Sequence, residues 1–129
     1  MSFHSLTVAY WCVLVAAVLP YLCAFIAKSG SFTPRDNVQP REWGARQTGW
    51  RARANAAQAN SFEGLAFFIG AVVIAHQLGA TQERIDLLAV AYAVLRVVYI
   101  VLYVRGLGSL RSAVWLLGFL VNIAILFTA

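Results

Sequence analysis

Apolar residues run along the chain in four blocks, separated by one long polar interval and two short ones. A helix that crosses a ~30 Å hydrocarbon core needs about 20 mostly apolar residues. Residues 6–27, 55–78 and 85–104 meet that length directly. The fourth block is shortest, 113–127, and spans once Leu110 is included, so it is expected at about 110–128. The long interval, 28–53, holds Pro34, Pro40, Gly30, Gly44 and Gly49 and is read as a loop. A short interfacial helix is expected inside it around 41–47, with Trp43 and Trp50 in the headgroup belt. The connections at 79–84 and 105–111 are short, which places successive helices antiparallel. Thr81 is expected to cap the third helix, with Glu83 and Arg84 in its first turn. Pro20 is expected to kink the first. The predicted fold is therefore all-α: one domain over residues 1–129, an integral membrane up-down four-helix bundle.

Composition agrees. Of the 129 residues 61% are hydrophobic and 12% charged, against about 25% charged in soluble domains. Too little charge is available to cover a water-soluble surface. The same figures exclude a disordered, collagen-like or disulfide-framework chain. The net charge of +5 does not point to nucleic acid, because the arginines interrupt apolar runs rather than build a solvated patch. They orient the chain instead. The first loop carries Lys28, Arg35, Arg41, Arg46, Arg51 and Arg53, and the third carries Arg105 and Arg111. The second carries only Arg84 and the tails carry none. By the positive-inside rule, loops one and three face the cytoplasm and both termini lie outside. A multi-pass protein is expected, in the inner membrane if the source is bacterial. The N-terminus lacks a basic stretch before its long apolar run and is expected to remain as a span, not to be cleaved.

Cys12 and Cys23 are eleven residues apart on one predicted helix, about 16 Å along its axis, too far for a mutual disulfide. They read as small buried apolar residues. His4 and His76 are far apart and no metal-ligand spacing occurs. No phosphate-binding glycine loop or nucleophile elbow is present.

The informative residues are polar ones inside apolar helices, where ionisable groups cost several kcal/mol. The second helix carries Arg53, Gln58, Asn60 and Glu63. At about 100° per residue, Arg53, Asn60 and Glu63 share an arc of roughly 80°, and Gln58 points elsewhere. On the third helix Tyr92, Arg96, Tyr99 and Tyr103 fall within roughly 60°. Two readings follow. In one, Glu63 pairs with Arg96 in the core, Asn60 hydrogen-bonds between helices, and Tyr92 and Tyr103 are belt aromatics. In the other, these residues line a polar cavity open toward the side where Arg53, Arg105 and Arg111 gather, suited to an anionic ligand with carboxylates.

The run Arg53-Ala-Asn-Ala-Ala57-Gln58-Ala-Asn60-Ser-Phe-Glu63 resembles the signature Arg-x-x-x-Ala-His/Gln-x-Asn-x-x-Glu of the MAPEG superfamily, membrane-associated proteins in eicosanoid and glutathione metabolism. Arg96-Val-Val-Tyr99-Ile-Val-Leu-Tyr103-Val-Arg105 is similar to the corresponding run of the leukotriene-forming relatives. Arg111 is similar, with a one-residue gap, to the arginine that family places near the glutathione sulfur. The resemblance covers the whole chain and implies a homotrimer with glutathione as co-substrate between adjacent subunits. It implies Arg53, Gln58, Asn60, Glu63, Tyr99 and Tyr103 as glutathione contacts, Arg96 as their support from the interior, Arg105 as a neighbour, and Arg111 as the thiol activator. It implies a transferase or peroxidase acting on lipophilic electrophiles from the membrane lipid. The chain departs from the leukotriene-forming pattern at Ala56, where those members have arginine, and at Gly64 and Ala66. Lys28 is what remains of their basic cluster after the first helix. These differences favour a short prokaryotic-type member over a dedicated eicosanoid enzyme. The alternative is a non-catalytic lipid-binding or scaffold protein on the same fold. A transporter, with Glu63 as its coupling carboxylate, ranks third.

Overall fold

The computed structural model describes residues 5–129, and His4 lies outside them. Four long helices dominate: α1 (Val8–Lys28), α3 (Gly49–Gln77), α4 (Gln82–Val104) and α5 (Gly108–Leu126), with a short α2 (Pro40–Ala45) in the first connection. All four are long and apolar enough to cross a membrane. A single turn of 3₁₀ helix, Asp36–Val38, precedes α2.

Small residues set the packing. Ala9, Ala16 and Ala27 of α1, Ala54, Ala57, Ala71 and Ala75 of α3, and Ala89 and Ala93 of α4 are all buried. Alanine at a helix interface lets backbones approach, so van der Waals contact replaces the hydrophobic drive that lipid cannot supply. α1 packs chiefly on α3, and α4 on α5. Phe68, Val72, Ile85, Tyr92 and Ile125 fill the core toward the N-terminal end of α1. Leu19, Cys23, Ala57, Tyr99 and Ile100 fill it toward the other. Cys12 and Cys23 are both free and buried. Pro20 lies within α1 and is fully buried in the bundle.

α3 starts at Gly49, where φ is +62°, a left-handed conformation that glycine adopts at little cost. Arg51 and Arg53, expected in the loop, therefore sit on the first turns of a 29-residue helix. The reason is electrostatic. Arg51 Nη1 donates to the carbonyls of Ala27 (2.8 Å) and Ser29 (2.7 Å) at the end of α1. Arg53 Nε donates to the carbonyl of Val104 at 3.0 Å, in the last turn of α4. The final carbonyls of a helix lack partners within it and carry its negative dipole end, so two arginines on α3 close two neighbouring helices. α4 then stops in a Schellman turn, Gly106 N–H to Tyr103 and Leu107 N–H to Leu102, with Gly106 at φ +79°.

Two local expectations are corrected. Thr81 precedes α4, but its side chain makes no capping bond; its carbonyl accepts from Arg84 and Ile85 N–H instead. Trp43 is 4% exposed and packs edge-on against Phe32, so it pins α2 rather than facing headgroups. The amide of Asn55 reaches the Gly44 carbonyl and ties α2 to α3. Trp50 is exposed, with the Arg51 guanidinium 4.3 Å from its ring centroid.

At the opposite end, Asp86 Oδ1 accepts from the Ala9 N–H (2.9 Å) and from Gln82 Nε2 (2.8 Å). An α4 carboxylate thus caps the first turn of α1. His76 stacks on Tyr10 and contacts Thr7 Oγ1 at 3.0 Å.

In the first connection, the Thr33 N–H and hydroxyl both bond Asp36 Oδ2 at 2.9 Å. With Arg46 beside it, these hold the Asp36 carboxyl below its ordinary range. The depressed value means that its contribution is present at neutral pH and is lost as pH falls through that range. The protection factor of the Thr33 amide, taken against its intrinsic exchange rate at each pH, should fall in acid, and Asp36→Asn should abolish this pH dependence. Arg51→Ala should lower thermal stability in detergent by about 1–2 kcal/mol, since two helix-end carbonyls lose a charged donor; an unchanged melting temperature would contradict the tie.

Candidate functional site

The face of α4 bearing Tyr92, Arg96, Tyr99 and Tyr103 turns inward. Tyr92, Arg96 and Tyr99 are buried and Tyr103 is half-buried. The guanidinium of Arg96 is the most constrained group. It is 5% exposed, and no ion pair joins it to Glu63 among the described residues. Its Nη2 instead donates to Asn60 Oδ1 at 3.0 Å and to Ser61 Oγ at 3.2 Å. It also lies 4.1 Å from the Tyr99 ring centroid, a cation–π contact strengthened by desolvation. The Glu63–Arg96 core pair of the first reading is therefore replaced by neutral acceptors on α3. Asn60 and Ser61 face Arg96, while Glu63 turns outward and is exposed.

Tyr92 is not a belt residue. Its ring stacks on Phe68 at 4.3 Å, and its hydroxyl donates to the Gly64 carbonyl at 3.5 Å. A Cβ at Gly64 would stand 3.1 Å from that hydroxyl, and one at Gly118 would meet the ring at 3.5 Å. The two glycines make room for the tyrosine between α3 and α5.

Outside this layer lies a groove of about 410 Å³. Ala56, Ala59, Asn60 and Glu63 line it from α3, Tyr99 and Tyr103 from α4, and Arg111, Ser112 and Trp115 from α5. Arg111 lies 4.3 Å from the Tyr103 ring centroid. Tyr103 in turn meets Tyr99 edge-on at 5.7 Å. Cation, ring, ring and cation thus run in sequence from the groove wall to buried Arg96. A guanidinium and a carboxylate that makes no ion pair among the described residues share one rim, so the groove can take both signs of charge from a zwitterionic ligand.

Six of the residues expected at the site come together here: Asn60, Glu63, Arg96, Tyr99, Tyr103 and Arg111, with Arg96 beneath the others. Three do not. Arg53 is committed to the Val104 carbonyl. Gln58 is half-buried and lines neither this groove nor the cavity described next, as its helical angle implied. Arg105 is exposed and follows the last residue of α4.

A second cavity, about 210 Å³, lies deeper between α3, α4 and α5 and shares Asn60, Glu63 and Trp115 with the groove. Asn122, 3% exposed, belongs to its lining. Sequence reasoning overlooked Ser61, Ser112, Trp115 and Asn122. An amide inside the fourth apolar block, four residues before the end of α5, was the available signal for Asn122. Among the described residues, no cluster of His, Cys, Asp and Glu could hold a metal ion.

Replacing Arg96 by Met strands the Asn60 and Ser61 acceptors. Thermal unfolding in detergent should show a loss of about 1–3 kcal/mol. Adding Asn60→Leu should recover part of it, and strict additivity of the two changes would argue against direct coupling.

A family model described as the MAPEG family matches residues 8–129. No curated protein and no solved structure matches the chain.

Proposed function

The chain belongs to the MAPEG family, and from that premise we propose that it is a glutathione-dependent transferase or peroxidase acting on lipophilic electrophiles dissolved in the bilayer. The observation that carries this reading is the shared rim of the groove, where Arg111 and Glu63 stand with Tyr99, Tyr103 and Asn60. The tripeptide glutathione has two carboxylates, one ammonium and one thiol. Glu63 suits the ammonium, and the tyrosine hydroxyls and Asn60 suit the carboxylates and amides. Arg111 supplies the chemistry. A free thiol is mostly protonated at neutral pH, and a guanidinium beside it favours the thiolate, which is the nucleophile. The working form in this reading is a homotrimer with a groove at each subunit boundary, both termini outside and the Arg53–Arg111 end toward the cytoplasm.

One observation favours a second reading. Ala56 lines the groove at the position where the leukotriene-forming relatives carry arginine, so Arg111 is the one guanidinium in its lining. A lipid-binding member without turnover would tolerate that.

Glutathione binding to the purified trimer, followed by ultraviolet absorbance of the bound thiolate and turnover of an aryl halide and a hydroperoxide, separates the two. Arg111→Ala should reduce the thiolate fraction about tenfold or more while changing the dissociation constant less. Glu63→Gln and Asn60→Ala should weaken binding first. Equal losses of both quantities in all three variants would indicate damage to the fold, and wild-type protein that binds no glutathione would overturn the proposal.

A further inference from the structure

The first connection holds a cavity of its own. Arg35, Asp36, Val38, Gln39, Glu42 and Arg46 line a volume of about 410 Å³, and none of them lines the groove or the inner cavity. Two guanidinium groups and two carboxylates therefore share one space, yet they scarcely neutralise one another. Among the described residues the one ion pair runs from Arg46 Nη2 to Asp36 Oδ1 at 3.8 Å, too long for a hydrogen bond. Arg35 and Glu42 make none. Gln39, its amide oriented with nitrogen toward Glu42, donates to that carboxylate but cannot neutralise it. Asp36 Oδ2 takes both bonds from Thr33, so Oδ1 is the oxygen left for a further donor.

The cavity stands where two apolar helices end. Arg51 ties the start of α3 to the last carbonyls of α1. Phe32 packs on Trp43, and Asn55 holds α2 to α3. A connection fastened there lies in the headgroup layer, about 5–7 Å deep on each side of the hydrocarbon. Trp50 is exposed at the same end, and tryptophan favours that layer. Val38 is the apolar member of the lining and is 80% exposed. An apolar side chain that open, set among four charges, is unfavourable in water and favourable against acyl chains.

We propose that this cavity binds the headgroup of a phospholipid bearing a primary ammonium, with its phosphate on Arg35 and Arg46, its ammonium on Asp36 and Glu42, and its acyl chains beside Val38. The ligand chemistry is a phosphodiester joined through a short carbon link to an ammonium. Guanidinium groups recognise phosphate through paired N–H donors. A primary ammonium offers three N–H donors to the carboxylates. A choline headgroup carries the same charges in the same order but has no N–H. A glycerol headgroup carries the phosphate without the cation. Selectivity therefore resides in the carboxylates, and general affinity for phosphate in the arginines. The source is the lipid rather than a free headgroup, because Val38 adds an apolar contact that a soluble headgroup cannot make.

The test uses the full chain in detergent, mixed with equal amounts of phosphatidylethanolamine, phosphatidylcholine and phosphatidylglycerol of identical acyl chains. Retained lipids are counted by native mass spectrometry. Amide exchange across residues 35–46 is followed in phosphatidylcholine nanodiscs with and without phosphatidylethanolamine. Phosphatidylethanolamine should be retained at least about fivefold over each of the others and should slow exchange in that segment. Asp36→Asn combined with Glu42→Gln should erase the preference over phosphatidylcholine and raise retention of phosphatidylglycerol, since the cavity then keeps only positive charge. Arg35→Gln combined with Arg46→Gln should weaken retention of all three. Glycerophosphoethanolamine, the headgroup without acyl chains, should leave the lipid bound when added in molar excess; displacement would overturn the lipid as the source. Equal retention of the ethanolamine and choline lipids by the wild type, or a preference that survives loss of both carboxylates, would overturn the proposal and leave the four charges as a solvated surface. The wild-type comparison needs no variant to fold. Because no arm uses glutathione, failure here leaves the thiol-transfer reading standing, and the reverse also holds.

Discussion

A single guanidinium in an apolar bundle imposes most of the architecture. Arg96 is a buried guanidinium with N–H donors and no acceptor of its own, so the neighbouring helices must bring acceptors to it or leave it unsolvated. Asn60 and Ser61 of α3 answer with oxygen, and Tyr99 answers with a ring face. Those contacts fix the rotation of α3 against α4. Once that rotation is set, Glu63 must point out of the bundle, and Tyr99 and Tyr103 must face the space between α3 and α5. The groove is the consequence of where the buried cation is held.

Polar ties at the helix ends complete the frame. Arg51 and Arg53 close the ends of α1 and α4, while Asp86 caps the start of α1 from α4. Each tie joins a charged side chain to backbone groups that a helix terminus leaves unpaired. Between the ends, alanines let the helices meet closely. Specificity of the bundle thus comes from few polar contacts at defined heights, and density from small residues between them. The cavity beneath the groove is the exception to this close packing, and it is also where, among the described residues, an amide oxygen goes unmet.

Much of this was visible before any coordinates. Tyr92, Arg96, Tyr99 and Tyr103 share a face because helical geometry leaves no alternative, and the same arithmetic set Gln58 apart from Asn60 and Glu63. What arithmetic missed was partnership. Opposite charges on neighbouring helices suggested a Glu63–Arg96 pair, but a face about 80° wide contains both residues that meet a partner helix and residues that pass it. Arg53 shows the same limit. It shares the arc of Asn60 and Glu63, yet its position near the start of α3 puts it beside the end of α4, where a carbonyl claims it.

The amino-acid sequence alone determined that the chain forms four membrane-length helices and that charge inside them is scarce enough to mark a site. Those properties depend on residue type and on periodicity within one helix. The tertiary structure decided which polar groups meet. Arg96 is bound by neutral oxygens and Arg51 and Arg53 serve helix ends; among the described residues, Glu63 makes no ion pair and lines the groove, and Asn122 Oδ1 has no hydrogen-bond partner in a small cavity. Each outcome depends on the axial height and rotation at which two helices touch, and those are set by packing between segments distant in the chain.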